Sequence, residues 1–226
     1  MPMMPYVSPE QAMKDKADFA RKGISRGRSA VAVVTADGVL FVAENPSTTL
    51  HKVSEIYDRI AFAAVGKYNE FEQLRVAGIR LADVRGYQYS REDVTGRALA
   101  TAYSNALGSV FTDSPKPLEV ELLVAEVIGD AVELYHILYD GSITDEEGFV
   151  AIGGSAEAIN EALSASFEPG MDRGTALRTT VRALGQVEER DMAPSRLEVA
   201  GLDRSLGRRK FFRLTEDEVT ALLEAG

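Results

Sequence analysis

The chain has 226 residues, a formal net charge of −10, 45% hydrophobic and 27% charged residues, and no cysteine. A chain of this length and balance buries most of its apolar surface unaided, and without thiols it has neither disulfides nor thiolate metal sites. The acidic charge argues against nucleic-acid binding, and the longest apolar runs, IAFAAVG and LEVELLVAEVIG, are too short to cross a bilayer.

The first nine residues, Met1, Pro2, Met3, Met4, Pro5, Tyr6, Val7, Ser8 and Pro9, hold no charged side chain. They lack the basic start, long apolar centre and small-residue cleavage site of a signal peptide. The expectation is a cytoplasmic protein that keeps this tip. SPEQ then starts a helix: Ser8 can cap, Pro9 suits the first turn, and Gln11 stands where a capping box wants Glu or Gln. The helix is predicted over 9–22, stopping at Gly23, with Met13, Ala17 and Ala20 as a narrow apolar stripe. Residues 1–8 fall outside it, and Pro2 and Pro5 discourage backward extension.

SAVAVVT and VLFVAEN around Asp37-Gly38 read as a hairpin. A polar loop, PSTTLHK, leads to a strand in RIAFAAVG. A helix follows over about 68–84. A second is predicted from Ser90, with Asp93 placed for a capping-box-like bond, to about Phe111. LEVELLVAEV, VELYHILY and GFVAIG read as three more strands. Helices are predicted over 155–167 and about 172–188, late strands in RLEVAGLD and KFFRL, and a final helix capped by Thr215 with Glu218. Strands come in adjacent runs, so the sheets should be antiparallel. Two stacked sheets with helix pairs on their outer faces give an α+β, four-layer αββα sandwich. No Pro/Gly-rich linker divides the chain, so one domain over 1–226 is expected.

Signals of self-contained chemistry are few. The two histidines, His51 and His136, are far apart in sequence and read as structural, and no metal or cofactor site is expected. There is no G-x-S-x-G motif for a serine nucleophile. GGSAEA (153–158) joins a strand to a helix but lacks the lysine of a phosphate loop, and reads as a tight turn. Two basic clusters, RKGISRGR (21–28) and GRRKFFR (207–213), are either solvated faces paired with neighbouring carboxylates or surfaces that meet an acidic partner.

The ordered set SPEQ, GRSAVAV, ADGVLFVAENP, HKVSEIYDRIAFAAVG, KPLEVELLVAEV and YDGSITDEEGFVAIGGSAEAI, with the closing helix, resembles proteasome α-type subunits over essentially the whole chain. The opening helix and AENPSTTLHKVSEIYDR look most like the actinobacterial form. The resemblance implies the sandwich of the N-terminal-nucleophile hydrolases. Catalytic β-type subunits of that family use a threonine freed after glycine, whose amine serves as the base. Here the equivalent strand begins GRSAV. The only Gly-Thr, Gly174-Thr175, is predicted deep in a late helix. Glu44 and Lys52 fall near the family's acid and lysine, but without a nucleophile. The α-type reading is therefore a gating subunit rather than an enzyme, with no catalytic residues. The alternative is a self-processing β-type threonine peptidase.

The resemblance further implies a homoheptameric α ring stacked on rings of proteasome β subunits. It implies passage of unfolded protein substrates, and a ring-shaped ATPase activator docking through its C-terminal tails. No nucleic acid or membrane partner is implied. By resemblance the activator pocket involves Lys52, Gly27, Gly66 and Lys67, and the gate is residues 1–9. The Tyr-Asp-Arg stretch that precedes the helix in archaeal and eukaryotic members is reduced here to YVSPEQ. Only Tyr6, Ser8 and Pro9 remain as equivalents in a gate-bracing cluster.

Overall fold

The computed structural model describes residues 8–225. The predicted gate positions Met1–Val7 lie outside the described residues. Helix α1 spans Pro9–Ile24. The strands β1 (Ala30–Thr35), β2 (Gly38–Glu44), β3 (Val53–Tyr57) and β4 (Ile60–Gly66) follow, then α2 (Tyr68–Gln88) and α3 (Gly96–Asp113). Next come β5 (Val120–Ile128), β6 (Ala131–Ile137), β7 (Ile143–Asp145) and β8 (Phe149–Ile152). The chain continues with α4 (Ala156–Ser164), α5 (Arg173–Glu188), β9 (Leu197–Asp203), β10 (Phe211–Arg213) and α6 (Glu216–Glu224).

The strands form two five-stranded sheets in the orders β10-β9-β2-β1-β8 and β3-β4-β5-β6-β7, and every neighbouring pair is antiparallel. Alternation along each strand sorts the core into three layers. Ala30, Ala32, Phe41 and Ala43 from one sheet meet Ala61, Ala63, Val65 and Leu123 from the other. The opposite faces pack Ile60, Phe62 and Leu122 against α2 and α3, and Val31, Leu40 and Val42 against α4 and α5. This is the αββα sandwich that the strand grouping predicts. Ala20 and Ile24 put α1 against the layer between the sheets.

Local chemistry explains the boundaries. Ser8 Oγ accepts from the Gln11 N–H at 3.2 Å, but the Gln11 side chain turns away to Asp15, so only half of a capping box forms. The helix does not stop at Gly23. It runs to Ile24, and the Ser25 N–H closes it on the Arg21 carbonyl. Gly23 serves a close approach instead, because a Cβ there would overlap the Glu119 side chain. Ser90 caps a 3-10 turn over Arg91–Asp93, and α3 starts later, at Gly96, with Thr95 as its cap. Thr215 and Glu218 form the complete capping box of α6.

Two strands carry no strong sequence signal. β3 mixes Val53 and Ile56 with Ser54 and Glu55, and it exists because it pairs with β4 through the turn at Asp58–Arg59. β7 is three exposed residues on a sheet edge. The last strand of the middle run, β8, does not stay with β5 and β6 but crosses to pair with β1. Gly174-Thr175 lies in the first turn of α5, not deep within it, where Thr175 donates to the capping Asp172. Among the described residues no helix is long and apolar enough to cross a membrane.

Candidate functional site

The end of α1 and the end of β4 face each other across a cleft of about 450 Å³. Phe19, Lys22 and Gly23 come from α1, Arg26 and Gly27 from the segment after it, Gly66 and Lys67 from the end of β4, and Glu119 from the approach to β5. Glycines make the floor possible. Gly66 has φ 117°, and a Cβ on it would overlap the Glu119 carbonyl oxygen. Such a φ is open to glycine and strained for other residues. At Gly27 a Cβ would stand 2.9 Å from Val65 Cγ1 and 3.2 Å from the Gly66 nitrogen. The strand end is pinned by the Lys67 N–H on the Glu119 carbonyl at 2.9 Å.

The walls are basic. Among the described residues, neither Lys22 nor Arg26 forms an ion pair, and Lys67 reaches Glu70 only at 3.5 Å. Glu70 is buried and serves others first. It accepts from Lys116 Nζ and from the Glu119 N–H, both at 2.7 Å. Burial pushes its carboxyl up, but these bonds and the Lys116 and Lys67 charges outweigh that and hold it below the usual range. Lys116 also pairs with Glu119 at 3.0 Å and stands 5.5 Å from the centre of the Phe19 ring. Among the described residues the cleft's one lining carboxylate, Glu119, is thus paired with Lys116, while Lys22 and Arg26 carry no ion pair. Phe19, 48% exposed, adds an apolar surface at the rim.

The structure brings Gly27, Gly66 and Lys67 together on this cleft and places Lys52 behind it. The Lys52 ammonium donates to the Arg28 carbonyl at 2.5 Å, next to Gly27. Burial lowers its pKa to about 8, against the opposing pull of Glu198 and Glu44. Glu55 and Asp58, close to Lys52 in sequence, pair elsewhere, with Arg209 and Arg91. Lys22, Arg26 and Phe19 join the cleft without having been singled out for it. The signal was present in RKGISRGR, but the sequence did not reveal which of its cations face Gly66.

The segment that leads into β1 belongs to a buried charge network. Arg28 and Arg190 both bind the buried Glu44 carboxylate, Arg190 at 2.5 Å, and Arg196 approaches it at 3.3 Å. Ser29 is 3% exposed, and its Oγ has no hydrogen-bond partner among the described residues. It lies inside the chain beside Ala30 of β1, so its nitrogen is a peptide rather than a free amine. Glu198 gathers the Lys52 and Val53 N–H groups, Asn45 and Arg213. These charges hold strand ends in place and are saturated with one another. His51 joins Glu198 at 3.3 Å and His136 joins Glu121 at 2.7 Å.

Residues 24–202 match the family model described as proteasome subunit. The chain is 56% identical to a protein of Kineococcus radiotolerans named "Proteasome subunit alpha", with 96% of each chain covered. It is 55% identical to one of the same name from Thermomonospora curvata over the full length of both. A Thermobifida fusca protein, also so named, is 54% identical over 99% of this chain and 92% of its own. With the sandwich and the internal Ser29 already in view, these matches decide the matter: the chain belongs to the proteasome subunit family, as a non-catalytic α-type member.

Proposed function

We propose that the protein is one of seven copies in an α ring that guards a proteolytic chamber built by cytoplasmic β subunits, and that the cleft beside α1 receives the C-terminal tails of a ring-shaped ATPase activator. The chain acts as one domain over 1–226, with residues 1–9 as the gate. The observation that carries the reading is the cleft itself. Three glycines let a tail's backbone lie against Gly27 and Gly66, and Lys22, Arg26 and Lys67 present positive charge to a terminal carboxylate.

Lys52 belongs to the same site from behind. Its ammonium is poorly solvated and bonded to a single carbonyl, so it can exchange that partner for an incoming carboxylate. One exposed ion pair contributes only about 0–1 kcal/mol, so one tail binds weakly. Several tails on one activator ring gain roughly 10²–10⁴ in avidity. Unfolded protein substrates would then pass the gate to the β chamber.

The test is reconstitution with a β subunit and an activator. Activator-dependent protein degradation that is lost in Lys52→Ala and in Arg26→Ala, with small-peptide hydrolysis of a tip-deleted particle retained, supports the reading. Activator capture by the Lys52→Ala ring at the wild-type level removes Lys52 from the site. New N-terminal processing of the purified chain, read by intact mass, would favour the β-type peptidase instead.

A further inference from the structure

His136 on β6 has a carboxylate facing each ring nitrogen. Nε2 lies 2.7 Å from Glu121 Oε1 on β5, and Nδ1 lies 3.5 Å from Glu146 Oε1, just beyond β7. A neutral imidazole carries one N–H and one lone pair, whereas an imidazolium carries two N–H groups. Only the charged ring can therefore face both carboxylates with donors.

The position of this trio matters. Glu146 stands where the chain leaves one sheet, and β8 of the other sheet begins at Phe149. The second oxygen of Glu121 accepts the Gly153 N–H at 2.9 Å, at the far end of β8. Glu146 is fixed to its own hairpin by its N–H on the Leu134 carbonyl, at 2.9 Å, and by Thr144 Oγ1 at 2.7 Å. The imidazole thus ties the start of the crossing to β5 and β6, while the Val34 N–H holds the Gly148 carbonyl at 2.7 Å and Glu121 alone holds the Gly153 N–H beyond β8. Other charges nearby are engaged or remote. Arg21 of α1 shares a cleft with Glu121, Tyr139, Asp140 and Glu157, and pairs with Asp18. β8 brings the apolar Val150 and Ile152, and α3 packs on the opposite face of β6, against Tyr135 and Ile137. Among the described residues no lysine or arginine pairs with Glu121 or Glu146, and His136 is the neighbour they share.

We propose that His136 is a pH-operated staple between β5 and the segment that leaves β7, at the point where the chain departs for the other sheet. Protonated, it holds Glu121 and Glu146 together and closes the crossing from β7 to β8. Deprotonated, it keeps Glu121 and releases Glu146, so the crossing segment opens more often.

Amide hydrogen exchange of the full chain tests this across a pH series from about 5 to about 9, with intrinsic rates corrected. Protection over residues 143–147 is expected to fall at the upper pH by up to about fivefold, the size of one lost ion pair at the protein surface. Both His136→Gln and Glu146→Gln should flatten this response, and His51→Gln should keep it. Nitrogen NMR of the imidazole should show both ring nitrogens protonated at the lower pH. Protection that is the same across the series overturns the staple, as does a pH response that survives in His136→Gln or Glu146→Gln.

Discussion

Gly66 turns through φ 117° directly beneath the Glu119 carbonyl, at a spacing that leaves no room for a Cβ. The contact joins the end of β4 to the approach of β5 and sets the floor of the α1 cleft. Gly66→Ala is expected to cost about 3 kcal/mol or more, combining backbone strain with a clash against main chain that cannot move aside. Gly27→Ala should cost less, because its nearest neighbour is a Val65 methyl. Denaturant unfolding of the isolated subunit gives both values.

Glu44 is the buried partner of Arg28 and Arg190, with Arg196 close by. Removing it leaves several cations facing one another in a half-buried site. Glu44→Ala is expected to lose about 3–5 kcal/mol, the range for breaking a buried pair from one side. The charge-removing Arg196→Ala, at the most distant partner, should cost under about 1 kcal/mol. Thermal unfolding of the two variants separates the hub from its rim.

In the proposed site, Lys52 makes docking depend on pH. Its pKa is lowered to about 8 by burial, so the ammonium is present below that value and lost above it. Activator binding that uses this charge is expected to weaken as pH rises through about 8, and Lys52→Ala should remove that step. Folding stability has the opposite sign. The unfolded lysine keeps its proton to about 10.4, so stability rises from about pH 8 toward that value as the folded state sheds a charge it holds poorly. Binding isotherms and unfolding midpoints across this window check both directions.

Deleting residues 1–7 is expected to raise peptide hydrolysis by the assembled particle while α1 keeps its Ser8 cap. In the proposed gate, Met, Pro and Tyr side chains from several copies would together offset a backbone entropy of about 1–2 kcal/mol per ordered residue. Unchanged hydrolysis after deletion would show that the tip does not limit entry.

Met13 is 39% exposed on α1, while Ala20, farther along the predicted stripe, is fully buried. Met13→Asp should therefore leave the subunit's stability within about 0.5 kcal/mol, as for other surface changes. It should weaken ring formation if α1 packs on the neighbouring copy. Native mass spectrometry reads the ring population directly.

The sequence by itself determined the elements whose signals are local. Ser8 and Thr215 announce helix starts because a cap needs only the next three residues. The runs of β1, β2, β4 and β5 announce strands because both faces of each are buried. Their order, together with the family resemblance, was enough to establish the sandwich and the class of subunit. Tertiary structure decided what depends on partners distant in the chain. β3 is a strand only because β4 lies beside it, and β8 changes sheets because β1 offers an edge. Gly23 continues the helix because its missing side chain admits Glu119, which is ninety-six positions later. The same limit applies to the site. Gly27, Gly66, Lys67 and Lys52 could be named from the resemblance, but which cations line the cleft and which stands behind it depends on folding. Burial and pairing are properties of the packed chain, so only the fold leaves Lys22 and Arg26 without an ion pair among the described residues, directs the Lys52 ammonium onto the Arg28 carbonyl, and gives His136 two carboxylates.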